Sequence, residues 1–156
     1  MRNSSQFDGY TSGTTKDFHE GFMASGDIGR LDEAGRLYVV GRDDEMIVSG
    51  GENVYPIEVE KTLAAHDDVA EATVFGVDDE QYGQRLAAFV VLSSAADSAR
   101  ATPGALKQYV RENLANYKVP REIVVLDELP RSSTGKIVRN ELLAHLGAEK
   151  ESGNPN

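Results

Sequence analysis

Apolar residues are sparse in the first third of this chain and fall into short, dense runs from Met46 onward. Leu86-Ala87-Ala88-Phe89-Val90-Val91-Leu92 is unbroken, the pattern of a strand covered on both faces, so it is expected at the centre of a sheet. Val69 to Val77 and Arg121 to Leu126 read as further strands, and Met46-Ile47-Val48 as a short one ending at Ser49-Gly50-Gly51. Leu106, Tyr109, Val110, Leu114 and Tyr117 recur at helical spacing behind Thr102-Pro103, a cap followed by a first-turn proline, and the stripe reads as core. A second helix opens at Pro56 with Ile57, Val59, Leu63 and Ala64 available for burial. A third is expected over Lys136 to Leu146, with Val138, Leu142 and Leu146 on one face. Ser93 to Ala101 reads as a loop within one domain.

These elements predict an α+β fold, a small mixed β-sheet packed with about three helices. Before them, Asp32-Glu33-Ala34-Gly35 is a turn between Ile28-to-Leu31 and Arg36-to-Val40, hence a β-hairpin whose apolar face needs a partner sheet. Polar residues dominate from Met1 to about Arg42, so this stretch does not read as a core of its own. The tail from Ala148 is polar and expected to fray.

With 156 residues and no cysteine, the chain has neither disulfides nor a thiol nucleophile. His19, His66 and His145 lack ligand spacing, so no metal site is expected. The formal charge of -10 argues against nucleic acid as a partner, because phosphate-backbone binders need clustered Lys and Arg. It leaves room for a nucleotide or coenzyme, which a few local cations can hold; Arg42 and Lys136 are the candidates. No apolar run reaches the ~20 residues of a membrane span, and the start lacks the form of a signal peptide, so the chain reads as cytoplasmic.

The chemistry-bearing residues fall in three blocks. Leu129-Pro130-Arg131-Ser132-Ser133-Thr134-Gly135-Lys136-Ile137-Val138-Arg139 sets a lysine on a glycine turn between a strand and a helix. Gly41-Arg42-Asp43-Asp44-Glu45 leads through Ser49-Gly50-Gly51-Glu52 to Tyr55-Pro56-Ile57-Glu58-Val59-Glu60, and Ser25-Gly26-Asp27 precedes both. In this order and spacing they resemble the carboxy-terminal part of adenylate-forming enzymes, the superfamily of acyl-CoA synthetases and peptide-synthetase adenylation domains. The resemblance runs from about Asp8 to Gly147.

The resemblance implies a domain plan: residues 1–42 as the end of a large amino-terminal domain, 43–147 as the small swinging domain, and 148–156 as a tail. It implies ATP, coenzyme A, and Mg²⁺ held mainly by the missing large domain. By the match, Lys136 is the adenylation lysine, a compact cation suited to bridging carboxylate and phosphate oxygens. Asp27 and Arg42 match residues that contact the nucleotide ribose, Asp44 the hinge, and Gly50 and Gly51 a loop lining the coenzyme channel. Each has a plainer reading: a solvated lysine, a hairpin-capping aspartate, an arginine paired to Asp43, Asp44 or Glu45, an acidic turn, a simple Gly-Gly turn. Ser25 replaces the usual Thr and Gln84 the usual Glu. Glu58 and Glu60, two apart on a helix, do not face one another and are assigned no acid-base pair. Tyr10-Thr11-Ser12-Gly13-Thr14-Thr15-Lys16 looks like the start of a phosphate loop, but lacks its ending and lies too near Asp27.

The parent is therefore read as a fatty-acid-CoA ligase, partnered by its own amino-terminal domain, with the isolated segment inactive. A carrier-protein-loading adenylation domain is one alternative, and a noncatalytic binding module is another.

Overall fold

A computed structural model describes residues 18–19, 22–97 and 100–146. The phosphate-loop look-alike at 10–16 and the tail from 148 lie outside the described residues. The chain divides into two compact units, one ending at Glu45 and the other beginning at Met46.

In the first unit, β1 (Phe18–His19) pairs with β2 (Phe22–Met23). β3 (Asp27–Leu31) pairs antiparallel with β4 (Leu37–Arg42), as the turn at Asp32 requires. Asp32 closes that turn by accepting from the amides of Ala34 and Arg36. Leu31 and Leu37, each 68% exposed, lie outside any core of this unit. A short 3-10 turn over Asp43–Glu45 ends the unit.

In the second unit, β5 (Ile47–Ser49) and β6 (Glu52–Val54) form a hairpin, and α1 (Pro56–Ala64) follows. β7 (Val69–Asp79) and β8 (Gly83–Leu92) make a long antiparallel ladder. Then come α2 (Pro103–Asn113), β9 (Glu122–Leu126) and α3 (Arg139–Leu143). β8 is central: β7 lies on one side, while β5 pairs at Gly83 and β9 pairs parallel along Ala87 to Val91. The sheet is thus mixed, as expected.

The unbroken apolar run of β8 is covered on both faces. Leu86, Ala88 and Val90 join Val59 and Leu63 of α1 and Leu106 and Val110 of α2 in one core cluster. Ala87 and Phe89 join Leu129 and Leu142 in a second. Gly76 of β7 leaves room for Ile47 of β5, since a Cβ there would stand 2.8 Å from Ile47 Cγ1.

Three expectations need correction. β6 was not foreseen, because Glu52 and Asn53 are exposed and only Val54 is buried, too little alternation to signal a strand. α2 stops at Asn113, whose side-chain amide donates to the Tyr109 carbonyl, and Leu114 is extended. Tyr117 therefore leaves the helical stripe and is 43% exposed. α3 begins at Arg139 rather than Lys136, because Ile137 is bridged to Arg131 and the Val138 amide donates to the Pro130 carbonyl.

Candidate functional site

Lys136 stands beside a tight turn. The Ser132 amide donates to the Lys136 carbonyl at 2.8 Å, and the Gly135 amide donates to the Ser132 carbonyl at 2.8 Å. Gly135 has φ +79, a left-handed geometry that glycine adopts without Cβ strain. The Ser132 and Thr134 hydroxyls, 2.9 Å apart, close the loop further. Lys136 is exposed, and its ammonium has no hydrogen-bond or ion-pair partner among the described residues.

Asp27, Arg42 and Asp44 come together in the first unit. Asp27 and Arg42 are register partners across β3 and β4. Arg42 donates through Nε to Asp44 Oδ1 at 2.8 Å and through Nη2 to Asp44 Oδ2 at 3.0 Å, a two-point fork. That hydrogen bonding, and then the Asp44 charge, hold the Arg42 guanidinium above its ordinary range. The plainer reading of Arg42 as a surface ion pair is realised, while its proximity to Asp27 keeps both side chains at one strand end.

Gly50 and Gly51 form the two-residue turn between β5 and β6, with φ +60 and +88. Two successive positive φ values are the geometry for which Gly-Gly is selected in hairpins. The Gly50 amide donates to the Tyr82 carbonyl at 3.3 Å, and Tyr82 in turn sits on Asp79, whose Oδ1 accepts from its amide at 3.0 Å. Gly50 lines a cleft of about 490 Å³ that also takes in Arg85, Lys107, Arg111, Tyr117 and Arg121.

Sequence reasoning missed these cations because they are spread over β8, α2 and the lead into β9, and only the fold gathers them. Arg85 and Arg121 share Asp79 Oδ2 at 3.5 and 3.6 Å, and Arg121 also covers the Tyr82 ring at 4.9 Å. Lys107 Nζ donates to the Arg121 carbonyl at 2.6 Å. Burial pushes the Asp79 carboxyl up, but the Tyr82 and Gln81 amides and the two arginine charges outweigh it and leave its pKa below the usual range. Glu52 also lines the cleft and Arg85 reaches Glu122 at 3.4 Å, so of the four basic side chains only Lys107 and Arg111 have no carboxylate partner among the described residues, a modest local excess of positive charge that suits an anionic ligand.

Glu58 and Glu60, unassigned from sequence, have structural partners. Glu58 pairs with Lys118, and Glu60 Oε1 accepts from the Val74 amide at 2.8 Å and the Thr73 hydroxyl at 3.1 Å, fastening α1 to β7.

The two glycine turns anchor at opposite ends of the β7–β8 ladder. Arg131, just before the Lys136 turn, pairs with Glu71, which lies opposite Val91. Ser49, just before Gly50, pairs with Gly83, which lies opposite Asp79. The eight residue-to-residue steps from Glu71 to Asp79 span about 26 Å of strand.

The family model for the AMP-binding enzyme C-terminal domain matches residues 58–136, and the chain belongs to that family. It is 50% identical over 129 residues to a 2-succinylbenzoate–CoA ligase of Geobacillus kaustophilus, covering 83% of this chain and 26% of that one. It superposes on the o-succinylbenzoate CoA synthetase of Bacillus subtilis, solved with its acyl-adenylate intermediate, at a TM-score of 0.67 and 44% identity, covering 80% of this chain and 25% of that one. A Mycobacterium tuberculosis fatty acyl CoA synthetase gives a TM-score of 0.64 at 38% identity, covering 85% and 26%. The chain thus spans about a quarter of the length of these relatives. Among the described residues, no helix is long and apolar enough to cross a membrane.

Proposed function

We propose that this chain is the carboxy-terminal domain, with the last hairpin of a preceding large domain, of a cytoplasmic ATP-dependent acyl-CoA ligase. In the first half-reaction the carboxylate oxygen forms a bond to the α-phosphorus of ATP, and pyrophosphate leaves. In the second the coenzyme A sulfur forms a bond to the acyl carbon, the acyl carbon–oxygen bond breaks, and AMP leaves. The observation that carries this reading is Lys136, exposed and without a partner among the described residues at the corner of a hydrogen-bonded turn, within a chain of this family.

Lys136 would sit between the carboxylate and the α-phosphate as charge develops there. Asp27 would accept from the ribose hydroxyls and Arg42 would donate to them. Residues 1–42 belong on this reading to the large domain, whose remainder supplies the acyl pocket, the phosphate loop and the Mg²⁺ ligands. Residues 43–147 form the small domain, which turns about Asp44 between the two half-reactions. Anchorage of the two glycine turns at opposite ends of one ladder supports such a rotation, since one rigid orientation would not bring both to the same acyl carbon. After rotation, Gly50 and Gly51 would flank the pantetheine arm, and the cleft cations beside Gly50 suit the coenzyme's phosphates.

The relatives at 44% to 50% identity are named for 2-succinylbenzoate, and one at 38% for a fatty acyl group. That order moves 2-succinylbenzoate ahead of the fatty acid expected from the sequence as the first acid to test. The relatives are also named as coenzyme A ligases, which favours free coenzyme A over a carrier protein.

The test is ATP–pyrophosphate exchange by the full-length protein containing this segment, with 2-succinylbenzoate and a series of fatty acids, wild type against Lys136→Ala. Exchange with one acid class, reduced about 10²- to 10³-fold by the substitution, is expected. Exchange at full rate in Lys136→Ala would overturn the lysine assignment and favour a noncatalytic module.

A further inference from the structure

We propose that Arg131 is a positioning residue for Lys136 and that Glu71 is the anchor through which it acts, an inference that rests on the adenylation role of Lys136 given above. Arg131 Nη1 donates to the Gly135 carbonyl at 3.1 Å, and its Nη2 donates to Glu71 Oε2 at 2.7 Å. One planar guanidinium therefore ties the peptide that carries the Lys136 nitrogen to β7 of the sheet. Holding the Gly135 carbonyl fixes the plane of the Gly135–Lys136 peptide, and with it the direction in which the Lys136 side chain leaves the backbone.

Such a device matters here because Lys136 has no side-chain partner among the described residues to hold it. Its aim depends on its backbone alone. The far side of the turn is held separately: Arg139 donates to the Gly76 carbonyl and lies 5.1 Å from the Phe75 ring centroid. With Arg139 fixing the start of α3 and Arg131 fixing the turn, the lysine has two fixed points on one strand. Removing the Arg131 side chain frees the Gly135 carbonyl while the backbone bonds of Ser132 to Lys136 and of Val138 to Pro130 remain, so the turn is loosened at its glycine rather than unfolded.

Arg131 and Glu71 are each about half exposed, at 46% and 49% of their side chains, and such pairs add little to stability. A purely electrostatic surface pair and a positioning pair therefore separate in function rather than in melting temperature. Lysine cannot replace arginine here, since one ammonium does not span a carbonyl and a carboxylate in fixed geometry as the guanidinium fork does.

The experiment uses the full-length protein and measures the two half-reactions apart: ATP–pyrophosphate exchange with the acid, and thioester formation from supplied acyl-adenylate and coenzyme A. Arg131→Ala is expected to lower exchange about tenfold, below the 10²-fold that a misplacement of about 1 Å can cost, with thioester formation and melting temperature nearly unchanged. Arg131→Lys should fall between wild type and Ala, and Glu71→Gln should lower exchange by a smaller factor. Full exchange in Arg131→Ala, in a protein whose exchange Lys136→Ala abolishes, overturns the proposal alone. Equal losses in both half-reactions would make Arg131 a structural residue and also overturn it. Exchange that survives Lys136→Ala removes the underlying reading and this proposal with it.

Discussion

The turn at Gly135 and the turn at Gly50-Gly51 are built from the same backbone chemistry and present opposite surfaces. Each uses positive-φ glycine, at +79 in the first and at +60 and +88 in the second, and each hangs from one end of the β7–β8 ladder. The first projects one cation that is unpaired among the described residues; the second projects no side chain and borders a cleft lined by Glu52 and by cations from other elements. A turn fixes where the backbone goes, and its neighbours decide what the turn can do. On the proposed reading, the first serves a small transition state that needs one placed charge, and the second a long flexible substrate that needs room and a diffuse positive field.

The strongest way to break this contrast is to remove the cation. Lys136→Ala should cut adenylation about 10²- to 10³-fold while thioester formation from supplied acyl-adenylate continues. Loss of both steps together would mean that the two turns are not functionally separate. A sharper comparison comes from a matched pair, Gly135→Ala and Gly51→Ala. Both positions have positive φ, and a Cβ at either meets nothing within 4 Å, so both substitutions carry backbone strain of about 1–2 kcal/mol and no clash. Similar losses of stability are expected, with Gly135→Ala slowing adenylation and Gly51→Ala slowing thioester formation. If both variants slow the same step, the division of labour fails.

Between the turns, Gly76→Ala should destabilise the second unit by roughly 1–3 kcal/mol through overpacking, because its Cβ would meet buried Ile47 at 2.8 Å. Urea denaturation of the full-length protein measures this. Ile47 begins β5, which leads into Gly50, and Gly76 also gives its carbonyl to Arg139, so a shift there should reach both turns.

How much of this was legible in the sequence differs by element. The central place of β8 followed from seven apolar residues in a row, and the α2 start followed from Thr102, whose hydroxyl accepts from the Ala105 amide at 3.2 Å. The hairpin of β3 and β4 followed from the Asp32 turn. These are local signals, in which a few adjacent residues decide the geometry. The shortened α3 was missed although Ile137 and Val138 are β-branched and weak helix formers, a signal outweighed by the apolar spacing of Val138, Leu142 and Leu146; the pairing of Ile137 with Arg131 consumes the start of that helix. The cleft was not legible either: Arg85, Lys107, Arg111 and Arg121 have no common spacing, and topology alone makes them neighbours. Arg131 lies five residues before Lys136, yet its partner Glu71 lies sixty residues away.

The smallest expected effect concerns the acid that organises the Gly50 end. Asp79 Oδ1 accepts from the Gln81 and Tyr82 amides at 3.0 Å each, and Oδ2 faces Arg85 and Arg121, which together hold its pKa below the ordinary carboxylate value of about 3.9. A carboxyl whose folded pKa is depressed stabilises the fold fully above the unfolded pKa and loses that contribution as pH falls through the folded value. Asp79→Asn keeps a carbonyl oxygen for the two amides and sets a neutral amide donor where the charged Oδ2 faced Arg85 and Arg121, as protonation would set a hydroxyl there. The variant should therefore melt slightly below wild type at neutral pH, with a gap that stays constant down to about pH 4 and closes at more acid pH. A melting series across that range reads the gap directly. A gap that persists unchanged in acid would show that the charge of Asp79 contributes nothing and that its oxygens serve the Tyr82 turn alone, leaving the Gly50 turn supported by hydrogen bonds as the Lys136 turn is.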